Sequence, residues 1–161
     1  MDSITVDGRE LAITRATEAD VPALAALLAD DELGAQRESD DLAPYVFAFQ
    51  EIDKDDNQFL VAARDEGGTV VATMQLTVIP VLSRGGAKRL QIEAVRVSAV
   101  LRGSGLGSAL IRWAHAYGQQ RGATLAQLTS DKSRVDAHRF YAALRYEASH
   151  EGFKRALWPP L

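Results

Sequence analysis

The chain has 161 residues and a mass of 17.5 kDa, enough for one domain of ordinary size and too little for two. Hydrophobic residues make up 47% and charged residues 25%, the proportions of a folded soluble domain rather than a disordered segment. There is no cysteine, which excludes a disulfide framework, a thiolate metal site and any acyl-cysteine intermediate.

In chain order, Leu11 to Arg15 alternates as a short strand. Thr17-Glu18-Ala19-Asp20 then opens a helix on which Val21, Leu24, Leu27 and Leu28 recur at helical spacing. A second helix is expected from Asp40 through Glu51, with Pro44 in its first turn. Phe59 to Ala63, Val70 to Leu82 and Leu90 to Val97 read as three antiparallel strands, separated by Glu66-Gly67-Gly68 and Arg84-Gly85-Gly86. A glycine-rich turn, Arg102-Gly103-Ser104-Gly105-Leu106-Gly107, leads into a helix with Leu106, Ala109, Leu110, Trp113 and Tyr117 on one face, ending near Gly122. Leu125 to Thr129 is the next strand and Asp136 to Leu144 a short helix. Tyr146 to Ser149 and Gly152 to Leu157 are expected as two closing strands. The strand-helix-strand passage between Ile92 and Thr129 implies that its two strands lie parallel. With no repeat and no linker, residues 1–161 are expected to form a single α/β domain.

The formal charge of -4 is unevenly spread. Residues 1–58 carry 4 basic and 15 acidic side chains, and residues 59–161 carry 14 and 7. The second part is suited to an anion, although acidic helices can equally just solvate a surface. No dense basic run or aromatic-interleaved basic stripe points to nucleic acid. The start, Met1-Asp2-Ser3-Ile4-Thr5-Val6-Asp7, has neither a basic nor an apolar leader region, and no stretch is long and apolar enough for a membrane span. A cytoplasmic protein is expected.

A strand running into a glycine-rich turn and then a helix presents unpaired N–H groups at the positive end of the helix dipole, an arrangement that binds phosphate. The turn lacks the Lys-Ser/Thr pair of a nucleoside triphosphate loop. The dinucleotide pattern fails too, because its third glycine falls on Ser108 or on Leu110. What fits is [Gln/Arg]-x-x-Gly-x-[Gly/Ala], with Arg102, Gly105 and Gly107.

That pattern resembles the pyrophosphate loop of the GCN5-related N-acetyltransferase (GNAT) superfamily. The preceding Ile92-Glu93-Ala94-Val95-Arg96-Val97 is similar to the family's central strand, and Phe140-Tyr141-x-x-Leu144-x-Tyr146 to its late helix. The resemblance covers essentially the whole chain. It implies the GNAT fold: a mixed sheet of about six to seven strands flanked by about four helices, with a splayed parallel strand pair holding CoA. Thr129-Ser130-Asp131-Lys132, Asp136-Ala137-His138-Arg139-Phe140-Tyr141 and Ser149-His150 most resemble the aminoalkylphosphonate N-acetyltransferases, over about the last third of the chain. One departure is Arg145, where the family usually has Gly. If the position is left-handed, Arg costs about 1 kcal/mol there relative to Gly.

The resemblance implies an acetyl-CoA-dependent N-acetyltransferase acting directly on a small amine, with Val95, Arg96 and Val97 pairing with pantetheine and residues from Arg102 through Gly103, Ser104, Gly105, Leu106 and Gly107 to Ser108 on the pyrophosphate. Tyr141 would be the general acid on the leaving thiolate, or else a core tyrosine. Glu93 would be the base, directly or through water, or else the partner of an arginine. Asp136 stands where many relatives contact the pantetheine arm, and it also suits a helix N-cap. His115, His138 and His150 do not read as a metal set. Lys132, Arg134 and Arg139 could hold an anionic acceptor such as an aminoalkylphosphonate, or the CoA phosphates, or else simply solvate the surface. Asp30, Asp31, Glu32, Asp40 and Asp41 could instead line an entrance for a polyamine or aminoglycoside. The same pattern is compatible with acetylation of a protein amine and with CoA binding without turnover. A homodimer is compatible with all of these.

Overall fold

Each apolar strand candidate in the first part of the chain pairs with its neighbour in sequence, because short connections leave antiparallel neighbours as the simplest partners. The computed structural model describes residues 2–30 and 32–157, with all of their side chains except those of Glu32 and Leu33. It resolves two compact units, Met1–Leu128 and Thr129–Leu161.

The first unit is built on a six-stranded sheet in the order β1-β2-β3-β4-β5-β6. The strands are β1 (Asp2–Val6), β2 (Arg9–Arg15), β3 (Gln58–Arg64), β4 (Val70–Pro80), β5 (Lys88–Val97) and β6 (Ala123–Gln127). All neighbours are antiparallel except β5 and β6, which run parallel, as the intervening helix requires. β1 has no counterpart among the expected strands, since Asp2, Ser3 and Thr5 leave little apolar pattern to read; it forms by pairing with β2 across a turn at Asp7 and Gly8, both at positive φ.

Helices cover both faces of this sheet. Helices α1 (Val21–Ala29) and α3 (Ala43–Asp53) lie on one side, where Val21, Leu24 and Phe49 pack with Ala16 and Ala62. The short α2 (Glu32–Arg37) lies between them in sequence. Pro44 sits in the first turn of α3, which begins at Ala43 rather than Asp40 because Asp41 Oδ1 accepts the Ala43 N–H at 3.0 Å. On the other side α4 (Leu106–Gln120) buries Leu106, Leu110, Ile111 and Ala114. Gly118 lets α4 approach β5 closely, since a Cβ there would stand 3.0 Å from Leu90 Cδ2. Trp113 and Tyr117 of α4 stack with ring centroids 5.5 Å apart, and both meet Phe59 of β3.

The entry to α1 is fixed electrostatically. The Asp20 carboxylate accepts the Thr17 N–H at 2.8 Å and hydroxyl at 3.0 Å, and takes the Arg64 guanidinium from β3 at 2.7 Å. Burial would push this carboxyl up, but the hydrogen bonds from Arg64 and Thr17 outweigh it and hold Asp20 below the ordinary aspartate range.

Among its described residues the second unit contains one helix, α5 (Val135–Ala143). It closes with Arg145 N–H donating to Ala142 C=O at 2.9 Å and Tyr146 N–H to Tyr141 C=O at 3.0 Å, the paired bonds of a helix end whose first residue beyond the cap is left-handed. Arg145 has φ 67°, so the expected strain is present. The Tyr141 and Tyr146 rings add the usual apolar contact across this end, 5.8 Å apart and steeply inclined. The two closing strands expected at 146–149 and 152–157 are not formed. Residues 147–157 make no backbone hydrogen bond among the described residues, and a strand exists only where its N–H and C=O groups find a partner. Phe153 and Leu157 are consequently exposed. No helix among the described residues is long and apolar enough to cross a membrane.

Two substitutions check these local devices. Asp20→Asn should lower stability by about 2 kcal/mol, leaving Arg64 without its carboxylate. Because the folded-state value of Asp20 lies below its unfolded value, the native contribution is present above about pH 4 and lost as pH falls through the folded value, so urea midpoints of native and variant should converge in acid. Arg145→Gly should raise stability by about 1 kcal/mol in thermal unfolding, by relieving the left-handed arginine.

Candidate active site

The last residues of β5 are shaped by two departures from regular pairing. The first is a bulge: Gln75 of β4 pairs with Glu93 and Thr73 with Arg96, so β5 carries one residue more than β4 between these points. Ala94 absorbs it at φ 52°, a left-handed conformation that costs a non-glycine residue about 1–2 kcal/mol. The second is a parting of the parallel pair. β5 and β6 remain in register to Gln91 and Gln127, but β6 ends there and β5 continues to Val97. Residues Ile92 to Val97 therefore have β4 on one side and no strand on the other among the described residues.

Val95, Arg96 and Val97 all lie on this open stretch and are half-buried. Arg96 Nη1 donates to the Val95 carbonyl at 2.9 Å. Glu93, just before the bulge, is exposed and has no hydrogen-bond or ion-pair partner among the described residues, so it does not serve as the partner of an arginine. The bulge could not be read from the sequence, since Ala94 shows none of the glycine or asparagine preference of a left-handed position.

β5 runs into a single 3₁₀ turn (Ala99–Leu101) and then the glycine turn. Gly103 and Gly105 have φ 80° and 86°, and nothing stands within 4 Å of a Cβ built on either, so the backbone faces open space. Arg102 and Ser104 donate their N–H groups inside the turn, to Ala99 and Leu101 carbonyls at 3.3 Å. Ser104 Oγ takes the Leu106 N–H at 3.4 Å. The amides of Gly103, Gly105, Gly107 and Ser108 have no partner among the described residues; the first bond of α4 is Ala109 N–H to Gly105 C=O at 3.1 Å. Four free amides at a helix N-terminus make an anion cradle.

The Arg102 side chain braces this cradle. Its Nε donates to the Val97 carbonyl at 3.2 Å, and its Nη2 to the Asp30 carbonyl at 2.6 Å and Asp30 Oδ2 at 2.7 Å. One guanidinium thus ties the end of β5 to the C-cap of α1. Asp30 is thereby occupied. Of the remaining acidic residues that could line an entrance, Asp40 and Asp41 are exposed, while Asp31 and the side chain of Glu32 lie outside the described residues.

In the second unit, Tyr141 is half-buried on α5, its ring centroid 5.0 Å from Phe140 and 5.8 Å from Tyr146. Burial, followed by the Tyr141 neighbour, pushes the Tyr146 phenol up to about 12. Asp136 is not the N-cap, a position held by Arg134. It lies in the first turn of α5, where its charge suits the helix dipole, and Arg139 Nη1 donates to it at 3.3 Å. Lys132 pairs with Glu151 at 2.7 Å. His138 Nε2 contacts the Asp131 carbonyl at 2.8 Å, and burial pushes His115 of α4 down.

Residues 22–146 match the model of the acetyltransferase (GNAT) family. A solved structure described as a transcriptional regulator from Bacillus halodurans C-125 is 44% identical, with a TM-score of 0.86 over 91% of this chain and 99% of that one. Glucosamine-6-phosphate N-acetyltransferase from Arabidopsis thaliana shares the fold, with a TM-score of 0.75 and 19% identity over 91% of this chain and 98% of that one. An aminoalkylphosphonate N-acetyltransferase of Salmonella typhimurium is 40% identical over 67 residues, which is 42% of this chain and 44% of that relative, so the match spans less than half of either.

Proposed function

The chain belongs to the GNAT acetyltransferase family, and from that premise we propose that it transfers the acetyl group of acetyl-CoA directly to the primary amine of a small molecule. The observation that carries this reading is the succession, within one stretch of chain, of an unpaired strand edge at Ile92–Val97 and an open cradle of four free amides at Gly103–Ser108. A strand edge can take an amide-bearing arm as an added strand, and the cradle can take its pyrophosphate. Val95, Arg96 and Val97 pair with pantetheine, and one of their N–H groups polarises the acetyl oxygen. Gly103, Gly105, Gly107 and Ser108 donate to the pyrophosphate, while Arg102, Ser104 and Leu106 hold the turn in shape. Asp136 is assigned to the pantetheine arm on the family resemblance alone.

Glu93 takes a proton from the substrate ammonium, directly or through water, and the free amine attacks the thioester carbonyl carbon. The tetrahedral intermediate gives up its second nitrogen proton to water and collapses with cleavage of the C–S bond, and Tyr141 gives its phenolic proton to the departing sulfur. Solvent reprotonates Tyr141 and receives the proton from Glu93, so ammonium and acetyl-CoA yield the acetamide, CoA thiol and one proton. No enzyme nucleophile is needed, in keeping with a chain that lacks cysteine.

For the acceptor we propose an amine that also bears an anion, of the aminoalkylphosphonate kind. The partial 40% identity to an enzyme of that name supports it, as does the basic excess after residue 58. A second reading, CoA binding without turnover in a regulator, takes its support from the description of the 44% identical relative. Release of CoA thiol across an amine panel separates the two; binding of acetyl-CoA with no release from any amine favours the regulator.

Tyr141→Phe should lower kcat by roughly 10²-fold with little change in melting temperature or acetyl-CoA affinity. Full turnover in this variant, with chemistry rate-limiting, refutes the general-acid role. Glu93→Gln should shift the rate profile toward higher pH, because the amine must then lose its proton unaided.

Gly105→Val places a branched side chain at a left-handed position facing the cradle. Acetyl-CoA affinity should fall by ten-fold or more, about 1.4 kcal/mol. Unchanged affinity by calorimetry with the fold intact would move the pyrophosphate elsewhere.

A further inference from the structure

The side chains of residues 89, 91 and 93 leave β5 on one face of the sheet, which also takes Gln75 and Thr77 from β4 and Gln127 from β6. Most polar groups on this platform satisfy one another. Gln75 Nε2 and Thr77 Oγ1 both donate to Gln58 Oε1, at 3.0 and 2.8 Å, and Gln127 Nε2 donates to Gln91 Oε1 at 2.6 Å. Two groups of opposite charge stand outside these pairings. Glu93 is exposed at one end, and Arg89 is half-buried about 13 Å along the strand.

Arg89 Nε is buried from water and has no acceptor, and among the described residues Arg89 has no carboxylate partner. Its cross-strand neighbours, Ile79 on β4 and Leu125 on β6, can pack its stem but offer no acceptor side chain. Gln91, next along the face, already accepts from Gln127. A desolvated guanidinium N–H without a partner is rare in native structures and needs an acceptor from outside the chain, a water or an anion. Of the basic residues expected to hold an acceptor anion, Lys132 is paired with Glu151 and Arg139 with Asp136.

We propose that Arg89 binds the anionic end of the acceptor, a phosphonate, phosphate or carboxylate on a small molecule whose amine lies toward Glu93. The planar guanidinium fork matches such oxyanions through its terminal N–H groups. The Gln91 and Gln127 amides form the neutral floor between the two charged ends. This assignment rests on the acetyl-transfer reading, whose failure would show as a separate outcome.

The experiment measures kcat/KM at fixed ionic strength for aminoethylphosphonate, β-alanine, ethylamine and spermidine, with the unaltered protein, Arg89→Gln and Arg89→Lys. The unaltered protein should favour aminoethylphosphonate over ethylamine by ten-fold or more, about 1.4 kcal/mol. β-Alanine reports whether a carboxylate serves as well. Arg89→Gln should abolish the preference through KM while leaving ethylamine turnover unchanged, and Arg89→Lys should keep part of it. A preference that survives in Arg89→Gln, equal rates for the two amines in the unaltered protein, or a ten-fold preference for spermidine overturns the proposal. Calorimetry with ethylphosphonate supplies a readout independent of turnover. Binding by the unaltered protein that is lost in a folded Arg89→Gln supports the site, and no binding by the unaltered protein overturns it. Absence of CoA release with every amine refutes acetyl transfer instead.

Discussion

A strand inside a sheet keeps a hydrogen-bonding edge free only if its neighbour ends before it does. β6 ends at Gln127, level with Gln91, while β5 continues to Val97. The opening this leaves depends on the parallel arrangement: the chain returns from α4 to β6 at the level of Lys88 and spends only five residues alongside β5. β4 supports the open stretch from the other side, and the bulge at Ala94 keeps that pairing in step on both sides of a left-handed residue. Strain of this kind persists where the surrounding pairs over-determine the backbone, and here β4 bonds to β5 before and after the bulge.

The glycine turn extends the same device. A helix N-terminus draws anions only if its amides are free and the approach is clear, and the left-handed glycines at 103 and 105 provide both. Arg102 holds the turn against the last carbonyl of β5 and the end of α1. Exposed ion pairs contribute little individually, yet one guanidinium bridging three acceptors from two other elements fixes geometry as a single pair does not. Asp20 and Arg64 set the opposite end of α1 in the same way. Helix α1 is therefore fastened at both termini.

In the second unit the helix end concentrates two constraints in a few residues. The closing bonds of α5 run from Arg145 and Tyr146 back to Ala142 and Tyr141, so the backbone that places Tyr141 is fixed by the capping turn that follows it. Burial keeps the Tyr146 phenol protonated well beyond neutral pH, which leaves its ring as an uncharged wall against Tyr141. The left-handed Arg145 is a local cost that the paired bonds and ring contact offset.

The amino-acid sequence by itself determined the order of the principal elements, the parallel return to β6, the glycine turn and the family, because these depend on local pattern: alternation, helical spacing and the glycines a left-handed turn demands. The resemblance marked Arg145 as a departure from the usual glycine that would be strained if left-handed, and the structure shows it at φ 67°. Tertiary structure alone decided the rest. β1 is a strand because β2 offers it an edge, and residues 147–157 are irregular because they make no backbone hydrogen bond, although the expected strands there looked as apolar as β1. The bulge at Ala94 and the isolation of Arg89 depend on which residues stand opposite one another across strands, and the bracket from Arg102 to Asp30 joins a turn to a helix end 72 positions away. Local pattern says which face a side chain takes. Only the folded register says whether that face supplies a partner.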